Sequence, residues 1–177
     1  ANGRAYIPGS SLRGALRDWL RRRHQNMTET VETSLKGTTK TPDQIVADVK
    51  SGASVLERLF GTQQNEGKLE VWDARCTSKV SRETDTKGQW CFWDKDRMTY
   101  VARSVAIDPM TGTAAEGRLY HYELVPPGAK FEAAFTAQNL DGEELRFLLD
   151  TLQGFNDGDD PVTLGALTKL DFGRFRI

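Results

Sequence analysis

Ile7-Pro8-Gly9-Ser10-Ser11-Leu12-Arg13-Gly14-Ala15-Leu16-Arg17 is the stretch on which the fold turns. Pro8-Gly9 bends the chain, and Ser10 is placed to cap a helix over about residues 11–23. Leu12, Ala15, Leu16, Trp19 and Leu20 recur at the spacing of one helical face and predict a buried stripe. Arg13, Arg17 and Arg21 lie four apart, which places them together on an adjoining stripe. The helix is therefore apolar below and basic along one edge. In front of it, residues 4–7 leave room for only a short extended stub.

Working outward, residues 24–43 are rich in Thr, Glu and Lys and read as a loop. A helical stretch follows, broken near Gly52, and its second piece runs from Val55 to Phe60 and stops at Gly61. Lys68 to Cys76 reads as one strand, and residues 77–99 as a polar, irregular insertion. Arg118 to Leu124 and Phe131 to Ala137 read as strands on either side of a Pro126-Pro127-Gly128 turn. Asp141-Gly142-Glu143-Glu144 opens a last helix with a capping residue and acids at its positive end. Leu145, Leu148, Leu149 and Leu152 are its expected core stripe, and a short terminal strand closes the chain. With one more strand in front, this order becomes the βαββαβ ferredoxin-like pattern of an α+β protein.

The 177 residues, 38% of them hydrophobic, suit one domain with its own core. No apolar run is long enough to cross a bilayer, and the first residues carry no signal pattern. A soluble, cytoplasmic protein is the expectation. Cys76 and Cys91 fit a reducing compartment and lack the second pair of ligands that a zinc site needs. The net charge of −1 does not announce nucleic acid, but its distribution is uneven. Residues 1–23 carry six arginines against Asp18, whereas residues 138–162 carry seven acids against Arg146. The acidic stretch is expected to be solvated surface.

Three segments carry chemistry. At Pro8–Arg17, a helix start offers unpaired N–H groups to an anion, Gly9 permits close approach, and Ser10 and Ser11 add hydroxyl donors. Arg13 and Arg17 would hold neighbouring phosphates. An ordinary capped amphipathic helix explains the same residues equally well. At Ala106–Ala114, the Asp108-Pro109 and Thr111-Gly112 pairs mark a protruding hairpin tip. Ile107 and Met110 there are expected to tuck back onto the domain, although on a nucleic-acid surface such groups wedge between bases. At Gly165–Arg174, Gly165, Gly173, Lys169 and Arg174 suit either RNA approach or a plain loop before an edge strand. His24 and His121 are candidate general bases, each expected as an ordinary surface or strand residue. Asn156–Asp160 reads as a turn, since it lacks the closing Glu of a calcium loop.

In this order, these three segments and the strand after the second resemble the RAMP superfamily, the repeat-associated proteins that form the crRNA-binding backbone of type III CRISPR effectors. Ile7–Arg17 is similar to the family's IPGSSLKGALR segment, and Ile107–Ala114 to its IDRxTGxA thumb. Glu123–Phe131 resembles the ExVPxGxxF strand that follows, and Leu164–Arg174 the C-terminal glycine-rich loop. The resemblance implies a modified ferredoxin-like, RNA-recognition-motif fold over residues 1–177, with residues 77–117 as insertion and thumb hairpin. It implies that Gly9, Ser10, Ser11, Arg13, Arg17 and Arg21 contact crRNA, with Gly165, Lys169, Gly173 and Arg174 supporting the guide from the other side. Ile107, Asp108, Met110, Thr111 and Gly112 would form the thumb that parts guide and target at intervals. Partners implied are crRNA, target RNA and neighbouring RAMP domains or subunits.

Family members that cut target RNA carry an aspartate in a loop upstream of the IPGSS segment, and neither that residue nor the first strand is expected here. No catalytic residue and no metal ligand is assigned in this chain. Cleavage by the intact assembly would use a divalent metal, Mg or Mn. Two other readings stand beside this one: a metal-independent crRNA-processing endoribonuclease with a histidine base, and a RAMP domain that binds guide without cutting.

Overall fold

The computed structural model of the chain describes residues 5–24, 40–44, 46, 47, 53–62, 65–77, 93, 94, 99–166, 168 and 173–177. In chain order these form β1 (Tyr6–Ile7), α1 (Gly9–Arg23), α2 (Val55–Phe60), β2 (Leu69–Val71), β3 (Ala74–Cys76) and β4 (Trp93–Asp94). There follow β5 (Thr99–Ile107), β6 (Ala114–Leu124), β7 (Phe131–Glu132), β8 (Phe135–Ala137), α3 (Gly142–Gln153) and a single 3₁₀ turn, Gly154–Asn156. The fold is α+β with antiparallel sheets, as expected of a ferredoxin-like chain. The strands join as β1-β3-β7, β2-β8 and β4-β5-β6. Two units are distinguished, one of Ala1–Ile7 with Ala74–Glu132, the other of Pro8–Asp73 with Ala133–Ile177.

The second unit holds most of the core. Leu12, Leu16, Trp19 and Leu20 of α1 are buried with Leu56, Leu59 and Phe60 of α2 and Leu69 of β2, as the helical spacing predicts. Helix α2 is framed by a Ser54–Glu57 capping box and by Gly61 in the left-handed region at φ 74°. Helix α3 has the predicted Asp141 cap, whose side chain accepts from the Glu144 N–H while Glu144 accepts from the Asp141 N–H.

The core stripe of α3 differs from the expected one. Leu148 is buried, but Leu145 and Leu149 are 47% and 55% exposed. The buried stripe is instead Glu144, Leu148 and Thr151, with Phe155 beyond the helix. Its phase is set by the carboxylate: Glu144 takes Lys68 Nζ at 2.7 Å and Arg58 Nε at 2.7 Å. Two cations hold the acid inside, and the two leucines turn outward.

Two strands expected to be continuous are each cut. Lys68–Cys76 breaks at Trp72-Asp73, where the Trp72 N–H donates to the Ala134 carbonyl and the Asp73 carboxylate accepts from Gly9. Phe131–Ala137 breaks between β7 and β8. β2 then pairs with β8 (Leu69↔Ala137, Val71↔Phe135), and β3 with β7 (Arg75↔Glu132). The short stub before the first helix does pair, as β1 on β3.

Residues 77–99 were expected to be irregular, yet Trp93–Asp94 and Thr99 are ladder residues, with Trp93 opposite Tyr100. β5 and β6 make the longest ladder, from Tyr100↔Leu124 to Ile107↔Ala114, with an irregularity between Val105 and Ile107. Residues 78–92 lie outside the described residues, as do residues 25–39.

Candidate nucleic-acid interface

Helix α1 begins one residue before the serines. Pro8 is the N-cap and offers no side-chain bond, so the expected Ser10 cap is not formed. The acceptor comes from elsewhere: the Gly9 N–H donates to Asp73 Oδ1 at 2.8 Å. Gly9 is buried, and a Cβ built on it would lie 2.2 Å from the Val71 carbonyl oxygen. The glycine thus admits the backbone of β2. Ser10 and Ser11 are exposed on the first turn, where helical N–H groups have no partner within the helix.

The arginines do not form one free basic edge. The Arg13 guanidinium donates to the carbonyl of Phe60, the last residue of α2. A cation there complements the negative end of that helix. Arg17 is half-buried and engaged within the fold. Arg21 pairs with Asp18 at 2.8 Å, and Arg22 bonds Asp18 and reaches Asp160 at 3.4 Å. Arg23 pairs with Asp157 at 3.2 Å and lies 5.8 Å over the Trp19 ring. His24 Nε2 stands 3.2 Å from Asp150 Oδ2, its ring edge-on to Phe147. The acidic stretch is therefore more than solvated surface: three of its aspartates answer the end of α1. Asp157 is the most committed. The N–H groups of Asp159 and Asp160 and the charge of Arg23 hold its carboxyl below the usual range. Those same bonds make residues 156–160 the predicted turn.

In the other unit, the β5–β6 hairpin ends in a closed tip. The Asp108 N–H donates to the Thr113 carbonyl and the Gly112 N–H to the Asp108 carbonyl, both at 2.8 Å. Asp108 Oδ1 accepts from the Met110 N–H at 2.9 Å, and Thr111 and Thr113 join hydroxyls at 2.9 Å. Gly112 takes φ 64°, a conformation that favours glycine. The tip holds its apolar groups outward: Ile107 is 59% and Met110 91% exposed, so neither tucks back. Leu119 and Tyr120 are also exposed, and Tyr120 and Tyr122 form a tilted ring pair at 6.2 Å.

At the C-terminal end, Thr163 and Arg174 form an antiparallel bridge, and the Leu164 N–H donates to the Gly173 carbonyl at 3.0 Å. Gly173 has φ 74°, and a Cβ there would lie 1.9 Å from the Leu164 carbonyl oxygen. Gly165 stands exposed at φ 92°, with open space where a side chain would be. Lys169 lies outside the described residues.

The profile of the RAMP superfamily matches residues 1–176. The chain belongs to the RAMP superfamily. Among solved structures it is similar to a chain of "Cryo-EM structure of the Type III-B Cmr-beta bound to cognate target RNA", with a TM-score of 0.53 at 15% identity. The match covers 95% of this chain and 43% of that one, so this chain spans less than half the other's length. The likeness is one of fold. Comparison with curated proteins returns no match.

The RAMP fold does not gather the two histidines. His24 ends α1 and is tied to Asp150, whereas His121 is an exposed residue of β6, opposite Arg103. Among the described residues no group of three or more His, Cys, Asp or Glu is placed to hold a metal ion. The expected Mg or Mn therefore has no fitting residue set there. Cys76 is half-buried, and Cys91 lies outside the described residues. No described helix is long and apolar enough to cross a membrane. Asp73, Trp72 and the Phe60 carbonyl escaped sequence reasoning, because their roles arise from contacts across the fold.

Proposed function

We propose that this RAMP chain binds crRNA as a backbone domain of a type III CRISPR effector, and that the intact assembly carries out guide-directed, metal-dependent cleavage of target RNA. The observation that carries this reading is the first turn of α1, which bears exposed Ser10 and Ser11 within the IPGSSLRGALR segment of a chain that belongs to the family. Hydroxyl and amide donors at a helix start suit phosphate oxygens, which position RNA without reading its sequence. Guide–target pairing then supplies specificity. The exposed Ile107–Gly112 tip suits the thumb's role of parting guide and target, since apolar groups that wedge between base steps must stand clear of the protein. Neighbouring RAMP domains and target RNA complete the assembly.

Arg21 is available to a phosphate because an exposed ion pair such as Arg21–Asp18 contributes no more than about 1 kcal/mol. Replacing Arg21 by alanine is expected to weaken crRNA binding uniformly across sequences. The plot of log affinity against log salt should become shallower by about 0.7, the value for one phosphate contact on a single strand. Filter binding over a salt series measures this, and an unchanged affinity and slope would overturn the phosphate assignment. Arg13→Ala should instead appear as lost thermal stability, through the freed Phe60 carbonyl.

A further inference from the structure

Trp72 is an indole left in the open. Its surface is 58% exposed, whereas Trp19 is 2% exposed in the core. The residue is nonetheless fixed at both ends. Its N–H donates to the Ala134 carbonyl at 3.0 Å, and its indole Nε1–H donates to Thr136 Oγ1 at 3.4 Å. Its backbone is pressed against Gly9, where a Cβ would lie 2.9 Å from the Trp72 carbonyl carbon. The first residue of α1, next to Ser10 in sequence, thus lies against the Trp72 backbone. Exposed aromatic rings held in place are costly in water and useful to a flat partner, and every nucleobase has a π-face for such a ring.

We propose that Trp72 is a stacking platform for one unpaired base of single-stranded RNA, with the attached ribose-phosphate lying toward the exposed hydroxyls of Ser10 and Ser11. This rests on the RNA-binding reading above and adds a residue to it. A base suits the position better than a phosphate does. Glu70 is exposed on the same ribbon, so the ground beside the ring repels anions but accepts a neutral plane, whereas the Asp73 carboxylate is already engaged by the Gly9 N–H.

The test uses the full-length protein, a single-stranded uridine oligonucleotide and the same backbone made abasic. Wild-type protein should bind the uridine oligonucleotide with quenching of tryptophan emission. Trp72→Ala should bind it roughly ten-fold more weakly, within the range for one stacked base, and should bind the abasic strand as wild type does. Trp72→Phe should keep most of the affinity while losing most of the quenching, which separates stacking from damage to the fold. Equal binding of the uridine strand by wild type and Trp72→Ala overturns the platform and leaves the RNA reading standing. If wild type binds neither strand, both fall. If Trp72→Ala keeps its RNA affinity but no longer associates with other RAMP subunits, the ring is a protein contact and the platform is overturned.

Discussion

Glu144→Ala is expected to destabilise the chain by about 3 kcal/mol, as breaking a buried ion pair from one side does. The Glu144 side chain has no exposed surface, and three donors make four hydrogen bonds to it. Lys68 Nζ lies 2.9 and 2.7 Å from its two oxygens, Arg58 Nε at 2.7 Å and the Asp141 N–H at 2.9 Å. Lys68 and Arg58 side chains retain 34% and 29% of their exposure, so water can recover part of what they lose. The Asp141 N–H and the vacated space cannot be repaired so easily, which keeps the effect near the lower end for buried pairs. Burial alone would favour the neutral acid, but the bonds from Lys68, the Asp141 N–H and Arg58 outweigh it and lower the Glu144 pKa from 4.5. A depressed carboxyl pKa stabilises the fold above the unfolded value near 4.5 and stops doing so as pH falls through the lower folded value. Urea denaturation at neutral pH should show the loss, and a series run down through that window should show wild type converging toward Glu144→Gln. A variant within about 0.5 kcal/mol of wild type at neutral pH, the scatter of ordinary surface changes, would refute the account.

Gly9→Ala should cost at least about 2 kcal/mol, although alanine is the better helix former by up to about 1 kcal/mol. The contact decides the sign. The added Cβ would meet three backbone atoms, the Val71 carbonyl oxygen at 2.2 Å, the Trp72 carbonyl carbon at 2.9 Å and the Val71 carbonyl carbon at 3.0 Å. None belongs to a flexible side chain, so either α1 or β2 must move. Gly14, five residues along the same helix, is the control: nothing lies within 4 Å of its Cβ position. Gly14→Ala should raise stability by about 0.5–1 kcal/mol. Chemical denaturation of the two variants side by side checks both signs. Because Gly9 sets the first turn of α1 against β2, its variant should also lose RNA affinity under conditions where it remains folded.

Helix α1 was legible because one face is wholly apolar, and the spacing of Leu12, Leu16, Trp19 and Leu20 needs no distant partner to be understood. The cap of α3 was legible for the same local reason. Its buried stripe was not, since a leucine pattern outranks an acid until Lys68 and Arg58, far back in sequence, are seen around Glu144. β5 was missed on different grounds. A hairpin with Val105, Leu119 and Tyr120 all exposed has no dry side, so alternation carries no signal. In the candidate interface, the residue types were legible and their commitments were not. Arg13 reads as a phosphate ligand until Phe60 of α2 is placed against it.

The pairing of Arg22 and Arg23 with Asp160 and Asp157 has a kinetic meaning. Positive charge that is answered a few ångströms away projects little field beyond the Debye length. A polyanion is then not drawn in from afar, and bulk nucleic acid gains little by passing near. Encounter proceeds close to the undirected rate, and discrimination falls to the lifetime of the complex once groups touch. On the proposed RNA-binding reading, a near-neutral chain can in this way serve one RNA without gathering every other.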